Sequence, residues 1–207
     1  MIRRRYATSM SMPKLKDVDL RIAAHERLFA RANQCPDTLV IDELGLSHGA
    51  CRVDIAVING HIRAYEIKAE ADNLLRLPRQ VEAYSEVVDA ASLIVTEHHL
   101  DAAVKLVPEW WGVILAERRK TGDVAFRRMR KEYINRGALP LTLVKLLWRT
   151  EVADLLRQYE IPEKELRAPR AILYEHLVSI LPRRTLGRTV RETLKSRKTW
   201  RDRARPL

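Results

Sequence analysis

The sequence predicts an α/β protein: a mixed β-sheet flanked by helices, followed by a basic helical C-terminal region. Residues 51–68 alternate apolar and other side chains in two arms around a central turn, which is typical of a β-hairpin. Two continuous apolar runs, 92–97 and 111–116, follow with a helical segment between them. This order favours a sheet with buried parallel strands and helices packed on its faces.

The chain before the hairpin divides into a tail, a helix and a strand. Residues 1–16 contain several basic side chains and no acid, and we expect an N-terminal tail there. Residues 17–31 place apolar side chains at helical spacing, and Asp17 or Asp19 can cap the helix start. Residues 38–44 have the composition of a first strand, with an acid near its end.

The second arm of the hairpin carries an acid and a lysine on one face. Glu66 and Lys68 point the same way because strand side chains alternate with a period of two. Such a pair on an apolar strand is unfavourable unless it is paired, hydrated or bound to a metal. The alternative interpretation is an amphipathic hairpin with a Glu–Lys pair on its surface.

The register of the hairpin decides whether Asp54 joins Glu66. A two-residue turn at 59–60 would place the two carboxylates apart. A three-residue loop at 58–60, with Gly60 in the left-handed position of a G1 bulge, would place Asp54 diagonal to Glu66. We predict this odd-length loop, or a bulge near Asp54, because only then do the carboxylates gather.

The remaining elements of the core are predicted from helix- and turn-forming residues and from the spacing of apolar side chains. A helix is predicted from Leu77, with Pro78 in its first turn. Beyond it we predict a strand at 92–97, a helix at 100–107, a strand at 111–116 and an edge strand at 124–128, and we interpret Trp110 and Trp111 as packing aromatics.

The pattern Asp54-(x)11-Glu66-x-Lys68 across two strands resembles the core of the PD-(D/E)XK nuclease superfamily. Residues 17–116 as a whole resemble a small family of microbial and phage proteins assigned to that superfamily. Val53 stands where the superfamily's name has Pro. The resemblance implies a restriction-endonuclease-like, nuclease-like α/β core over residues 17–134.

The same resemblance implies roles for individual residues. Asp54, Glu66, the carbonyl of Ile67 and, as a weaker third acid, Glu43 would hold Mg²⁺ or Mn²⁺, which prefer oxygen ligands. The ion would polarise the scissile phosphate and lower the pKa of a bound water. Lys68 would be the catalytic lysine. A salt bridge from Glu43 to Arg52 or Lys68 is the alternative for that acid.

Further residues are candidates for contacts with the site or with DNA. Gln80 and Tyr84 lie four residues apart on one helix face. A Gln-x-x-x-Tyr helix after such a strand resembles the RecB-type nucleases, which implies that Gln80 joins the catalytic group and Tyr84 approaches bound DNA. Arg76 and Arg79 could contact phosphate. Whether Glu26 or His48 takes part is left open.

Charge is concentrated in the C-terminal region, residues 135–207. This region carries 17 Lys and Arg against 8 Asp and Glu, and the whole chain has a net charge of +11. Two helices joined by an extended connector, with Leu and Arg recurring, resemble a SAP-like DNA-binding module. The basic segment after residue 182 offers five candidate phosphate contacts: Arg183, Arg184, Arg188, Arg191 and Lys195.

Composition limits the class of protein. No apolar run approaches the length of a membrane span, and the two cysteines form no CxxC motif or Cys/His cluster. These features predict a cytoplasmic protein that works at no membrane. A homodimer is left open.

We therefore predict a metal-dependent deoxyribonuclease that acts in DNA repair, in the movement of mobile elements or in phage-related processing. One alternative is a non-catalytic nucleic-acid-binding subunit on a nuclease-like fold. Another is a nuclease that acts on RNA or on branched DNA.

Overall fold

A six-stranded mixed sheet with helices on both faces forms the centre of the protein. The computed structural model describes residues 13–197, and a helical C-terminal region follows the sheet. The predicted α/β class is therefore confirmed. Residues 1–12, which make up most of the expected tail, and residues 198–207 lie outside the described residues. Within residues 13–197, no helix is long and apolar enough to cross a bilayer.

The strands stand in chain order across the sheet. They are β1 (Leu39–Leu46), β2 (Cys51–Ile58), β3 (Ile62–Lys68), β4 (Ala90–Thr96), β5 (Gly112–Arg118) and β6 (Val124–Arg130). The pairs β3–β4 and β4–β5 are parallel, and the other three pairs are antiparallel. The central strand β4 is buried along its whole length, as its continuous apolar run predicts.

The first face of the sheet is covered by α1 (Asp17–Arg27) and α2 (Ala30–Gln34). Leu20, Ala24 and Phe29 pack there against apolar side chains of the sheet. The predicted single helix over 17–31 is therefore broken near Phe29, whose φ and ψ of −108° and 7° leave the helical region. The N-cap is Lys16 and not the predicted Asp17 or Asp19, and Asp19, the third residue of the helix, accepts the Lys16 N–H at 2.9 Å.

The second face carries α3 (Leu77–Ser85) and α4 (Glu97–Val104), which connect the parallel strands. The C-terminal helices α5 (Pro140–Val144), α6 (Arg149–Gln158), α7 (Arg170–Ile180) and α8 (Arg183–Ser196) lie on the same side. Their apolar side chains share one hydrophobic cluster with the sheet, and Leu173, Leu177, Leu186 and Val190 belong to it. The SAP-like interpretation of this region stays a prediction.

The loop of the β2–β3 hairpin has three residues, which confirms the predicted odd length. Its position differs by one residue, because Ile58 pairs with Ile62 and the loop is 59–61. The predicted G1 bulge is wrong: Gly60 is not among the glycines with positive φ. The side chain of Asn59 closes the loop instead, since its oxygen accepts the His61 N–H at 3.2 Å.

Candidate active site

The backbone pairing of β2 with β3 ends beside Asp54. Beyond that point the side chain of Asp54, and not its backbone, bonds to β3. The last pair is Ile55–Tyr65, so the same register sets Asp54 opposite Glu66. Asp54 accepts the Ile67 N–H through Oδ2 at 2.7 Å. Because the N–H and C=O of one residue point to the same edge of a strand, the Ile67 carbonyl also points toward β2. The Asp54 carboxylate and the Ile67 carbonyl therefore lie at the opening between the two strands, with Glu66 opposite Asp54.

The surroundings of Asp54 at this opening disfavour its charged form. Burial, followed by the negative charge of Glu66, raises the pKa of Asp54 to about 7. The Ile67 N–H and the Arg21 guanidinium act in the opposite direction and compensate only in part. A carboxylate beside a second carboxylate in a desolvated place is stabilised by any further cation.

Glu66 and Lys68 form a buried ion pair on the face that they were predicted to share. Lys68 Nζ donates to Glu66 Oε1 at 2.6 Å and to Gln80 Oε1 at 3.1 Å. The side chains of Glu66 and Lys68 are 1% and 4% exposed. Gln80 on α3 thus fixes the Lys68 ammonium group by a hydrogen bond. The structure brings these three predicted residues together.

Tyr84 lies on α3 one helical turn after Gln80 and makes a hydrogen bond to Glu66. Its hydroxyl donates to Glu66 Oε2 at 2.5 Å, and its ring is stacked on Trp111 with 5.4 Å between the ring centres. Burial and the nearby carboxylates raise the pKa of Tyr84 well above its ordinary value. Tyr84 is 0% exposed. The structure therefore places it inside the site, where it positions Glu66, and not on a surface that DNA could touch.

Glu43 stands across β1–β2 from Asp54 in an unusual conformation. The ladder pairs Asp42 with Ile55 and Leu44 with Val53, and Glu43 between them has a φ of 59°. A left-handed non-glycine residue inside a strand is strained, and such strain recurs at functional sites. Glu43 lies near the opening, but its carboxylate is paired with cations from two elements.

Two arginines account for those pairs. Glu43 Oε1 is 3.1 Å from Arg21 Nη2, and Glu43 Oε2 is 3.4 Å from Arg52 Nε. The alternative weighed for Glu43, a salt bridge to Arg52, is therefore present. Arg21 also donates to the backbone oxygen of Asp54 at 2.6 Å.

Arg21 is the site residue that sequence reasoning missed. Besides Glu43 it approaches three other carboxylates within 4 Å: those of Asp17, Asp42 and Asp54. The spacing of Asp17 and Arg21, one helical turn apart, was the available signal, but it does not reveal the strands beyond. Glu26, the acid considered on the same helix, is exposed and lies apart from this group.

The predicted DNA contacts fall into two groups. Arg76, Arg79, Arg184 and Arg188 are exposed, and their side chains make no hydrogen bond or ion pair within residues 13–197. The other three bind the protein itself: Arg183 to the Ala138 carbonyl at 2.6 Å, Arg191 to Asp89 at 3.8 Å and Lys195 to the Asp37 carbonyl at 3.3 Å. The basic helix α8 therefore uses part of its charge to dock on the sheet.

The oxygen donors fit a hard divalent ion only with help from outside the chain. In the described part of the chain, no group of three or more His, Cys, Asp or Glu side chains is arranged to hold a metal. Asp54, Glu66 and the Ile67 carbonyl supply the protein's share of ligands. Water and phosphate oxygens would supply the rest, as is usual for Mg²⁺.

Comparison with known proteins gives a family. The sequence model of the bacteriophage P4 protein cII family matches residues 12–204. Protein cII of Enterobacteria phage P4 is 25% identical over 147 residues, which cover 71% of this chain and 55% of that protein. The match thus spans about half the length of the curated relative. No solved structure matches the chain significantly.

These matches correct the sequence resemblance. The assignment to the PD-(D/E)XK nuclease superfamily is wrong, because the match over residues 12–204 is to another family. The short acidic pattern that carried the resemblance is of a kind that arises in unrelated chains. Neither the name of the family nor that of the relative states an activity, a substrate or a partner. The chain belongs to the bacteriophage P4 protein cII family.

Proposed function

We propose that this protein is a metal-dependent hydrolase of phosphodiester bonds in nucleic acid. One observation carries the proposal. Where β2 and β3 separate, Asp54 accepts the Ile67 N–H, and the two neighbours of Ile67 in sequence, Glu66 and Lys68, form an ion pair. Two carboxylates and an ammonium group in one opening match the needs of phosphoryl chemistry. The carboxylates attract a divalent ion, and the ammonium group stabilises negative charge on a phosphate.

Asp54, Glu66 and the Ile67 carbonyl are the residues that would hold the ion. When bound, Mg²⁺ or Mn²⁺ supplies Lewis-acid activation of the phosphate and a more acidic water. The pKa of Asp54 is raised to about 7 by burial and then by the charge of Glu66, and this supports the assignment because a bound cation would stabilise the charged carboxylate. The side chain of Asp54 is 20% exposed, so solvent reaches the opening from this side.

Lys68 is the residue that would act on the phosphate or on the attacking water. An ammonium group has three donors, and Glu66 and Gln80 take two of them. In the described part of the chain no acceptor takes the third. Lys68 is thus fixed in direction, and the proposal assigns its third N–H to a phosphate oxygen. Gln80 and Tyr84 would serve as positioning residues for this arrangement.

The charge distribution supports a polyanionic substrate. The chain carries a net charge of +11, and four exposed arginines on α3 and α8 have no partner within residues 13–197: Arg76, Arg79, Arg184 and Arg188. This charge suits DNA and RNA alike. We take DNA as the first substrate to test, and the cleavage assay separates the two.

A second function, binding without cleavage, is favoured by one observation. Glu66 and Lys68 satisfy each other, and both side chains are nearly inaccessible, at 1% and 4% exposed. A closed ion pair of this kind also occurs as a structural element. In that case the protein would bind nucleic acid as a subunit of a larger assembly and would not cut it.

The experiment that tests the proposal compares cutting with binding. Purified protein is incubated with linear, nicked, single-stranded and branched DNA and with RNA, in Mg²⁺, Mn²⁺ or EDTA. We expect cleavage with a metal and none in EDTA. Asp54→Asn and Lys68→Met should each lower the rate by about 10²-fold or more while leaving DNA affinity intact. DNA binding without any metal-dependent cleavage would favour the second function.

A further inference from the structure

A cluster of basic residues lies where the β1–β2 loop meets the C-terminal helices. The loop residue His48 is exposed, and its ring is stacked on Tyr174 of α7 with 5.8 Å between ring centres and 16° between planes. Tyr174 is itself fixed, because its hydroxyl donates to the Leu147 carbonyl at 2.9 Å. The loop therefore contacts α7 at a residue that is itself bonded to the segment after α5.

Two further basic side chains belong to the same place. Arg170 is the first residue of α7, one turn before Tyr174 and on the same side of the helix. Lys145 directly follows α5 and precedes Leu147 by two residues. Partial desolvation, followed by the positive charges of Arg170 and Lys145, lowers the pKa of His48. The three basic groups are thus close enough to influence one another.

Lys145 and Arg170 have no acidic ion-pair partner in the described part of the chain. Neither Lys145 nor Arg170 makes an ion pair or a side-chain hydrogen bond with residues 13–197, and Arg170 is exposed. The position of Arg170 is also unfavourable for the helix, because a cation in the first turn opposes the helix dipole. The two charges therefore add no ion pair to the fold and remain available to an anion.

The cluster lies near the candidate active site. The loop of His48 leads into β2, where Cys51 is three residues, or about 10 Å, from Asp54. The charge of Glu66 contributes to raising the pKa of Cys51, so this end of β2 lies within reach of the site.

We propose that His48, Lys145 and Arg170 form a phosphate-binding site for a nucleic-acid backbone that runs on to Asp54 and Glu66. The inference rests on the proposed function for the direction of the strand, but the binding itself needs no catalysis. The C-terminal helices would then do more than add charge: they would complete a contact with the loop that enters the site. Recognition by phosphate alone is independent of base sequence.

The test measures DNA affinity in EDTA, where no cleavage occurs. Fluorescence anisotropy with a labelled duplex, repeated over a series of salt concentrations, compares wild type with Lys145→Ala, Arg170→Ala and the double variant. Lys105→Ala is the matched control, because Lys105 is exposed directly after α4 and has no ion pair within residues 13–197. Thermal unfolding of each variant verifies the fold.

We expect the double variant to bind DNA at least about tenfold more weakly, with a salt slope lower by about one per cation removed. The control should bind like wild type. Wild-type affinity and slope in the double variant would overturn the proposal, whether or not the protein cuts DNA. Weakened binding in a protein that never cuts would uphold this site and overturn the hydrolase proposal instead.

Discussion

Asp54 is held between opposing influences that make it the most sensitive residue of the site. Glu66 and burial favour its neutral form, while the Ile67 N–H and Arg21 favour its charged form. The result is a pKa of about 7, against an ordinary value of 3.8. A divalent ion would bind the charged form, so metal binding should release a proton below pH 7.

The first prediction concerns stability in metal-free solution. The folded protein keeps a proton on Asp54 up to about pH 7, whereas the unfolded chain releases it near pH 3.8. The folded state therefore binds more protons in this window, and the free energy of unfolding should fall as pH rises through it, by on the order of a few kcal/mol. Above the window the contribution is constant.

Urea unfolding at a series of pH values tests this prediction by difference. Asp54→Asn cannot titrate, so the difference in stability between wild type and variant should change with pH only inside the window. A difference that stays constant from pH 4 to pH 8 would show that Asp54 is charged throughout.

Lys68 is the counter-ion of Glu66, and the second prediction follows from its removal. Lys68→Met leaves Glu66 buried with only the Tyr84 hydroxyl as a partner. We expect a loss of about 3–5 kcal/mol in the free energy of unfolding, because an unpaired buried charge is strongly unfavourable. The double variant Glu66→Gln/Lys68→Met should recover much of the loss. Equal stability of the single and double variants would contradict the buried pair.

At the scale of elements, the β2–β3 hairpin sets the register that brings Asp54 to Glu66. Asn59 closes the loop through its side chain, and its backbone N–H also donates to the His61 carbonyl at 3.1 Å. Gly60 contributes little, since a Cβ atom built on it meets no atom within 4 Å and its φ is not positive. The loop thus depends on the asparagine.

The third prediction separates these two loop residues. Gly60→Ala should change the free energy of unfolding by no more than about 0.5 kcal/mol. Asn59→Ala should cost about 1 kcal/mol, because it removes acceptors for the His61 N–H and the Arg63 guanidinium. Chemical denaturation of both variants measures the costs. A larger cost for Gly60→Ala would point to the left-handed loop that the sequence predicted.

The hairpin also shows which features of the site could be predicted from the sequence. Alternation of apolar residues predicted both strands and the shared face of Glu66 and Lys68. The loop position could not be predicted, because Asn59 and Gly60 each offer a way to close it. Arg21 was missed for a different reason: its partners come from β1 and β2, and helical periodicity does not show which strand a helix crosses.

At the scale of the whole molecule, the sheet and the C-terminal helices share one hydrophobic cluster. Leu177 of α7 is 0% exposed and packs in the same cluster as Leu93 of the central strand. Composition predicted the charge of this region but not which of its cations face solvent. Arg191 and Lys195 hold α8 on the sheet, whereas Arg184 and Arg188 stay exposed.

The fourth prediction tests this shared core. Leu177→Ala should lower the free energy of unfolding by about 2–5 kcal/mol. Helix content and tryptophan fluorescence should still report one coincident transition, because sheet and helices unfold together. Separate transitions, with only the helical signal shifted to lower denaturant, would show that the two regions are independent.

The most direct test of the central claim is single-turnover cleavage of DNA by wild type, Glu66→Gln and Glu109→Gln. Glu109 is exposed and has no ion pair within residues 13–197, so its variant makes the same chemical change away from the site. We expect cleavage by wild type and by Glu109→Gln that requires Mg²⁺ or Mn²⁺, and a rate lower by about 10²-fold or more in Glu66→Gln. Equal rates in all three proteins, or cleavage that persists in EDTA, would contradict the assignment.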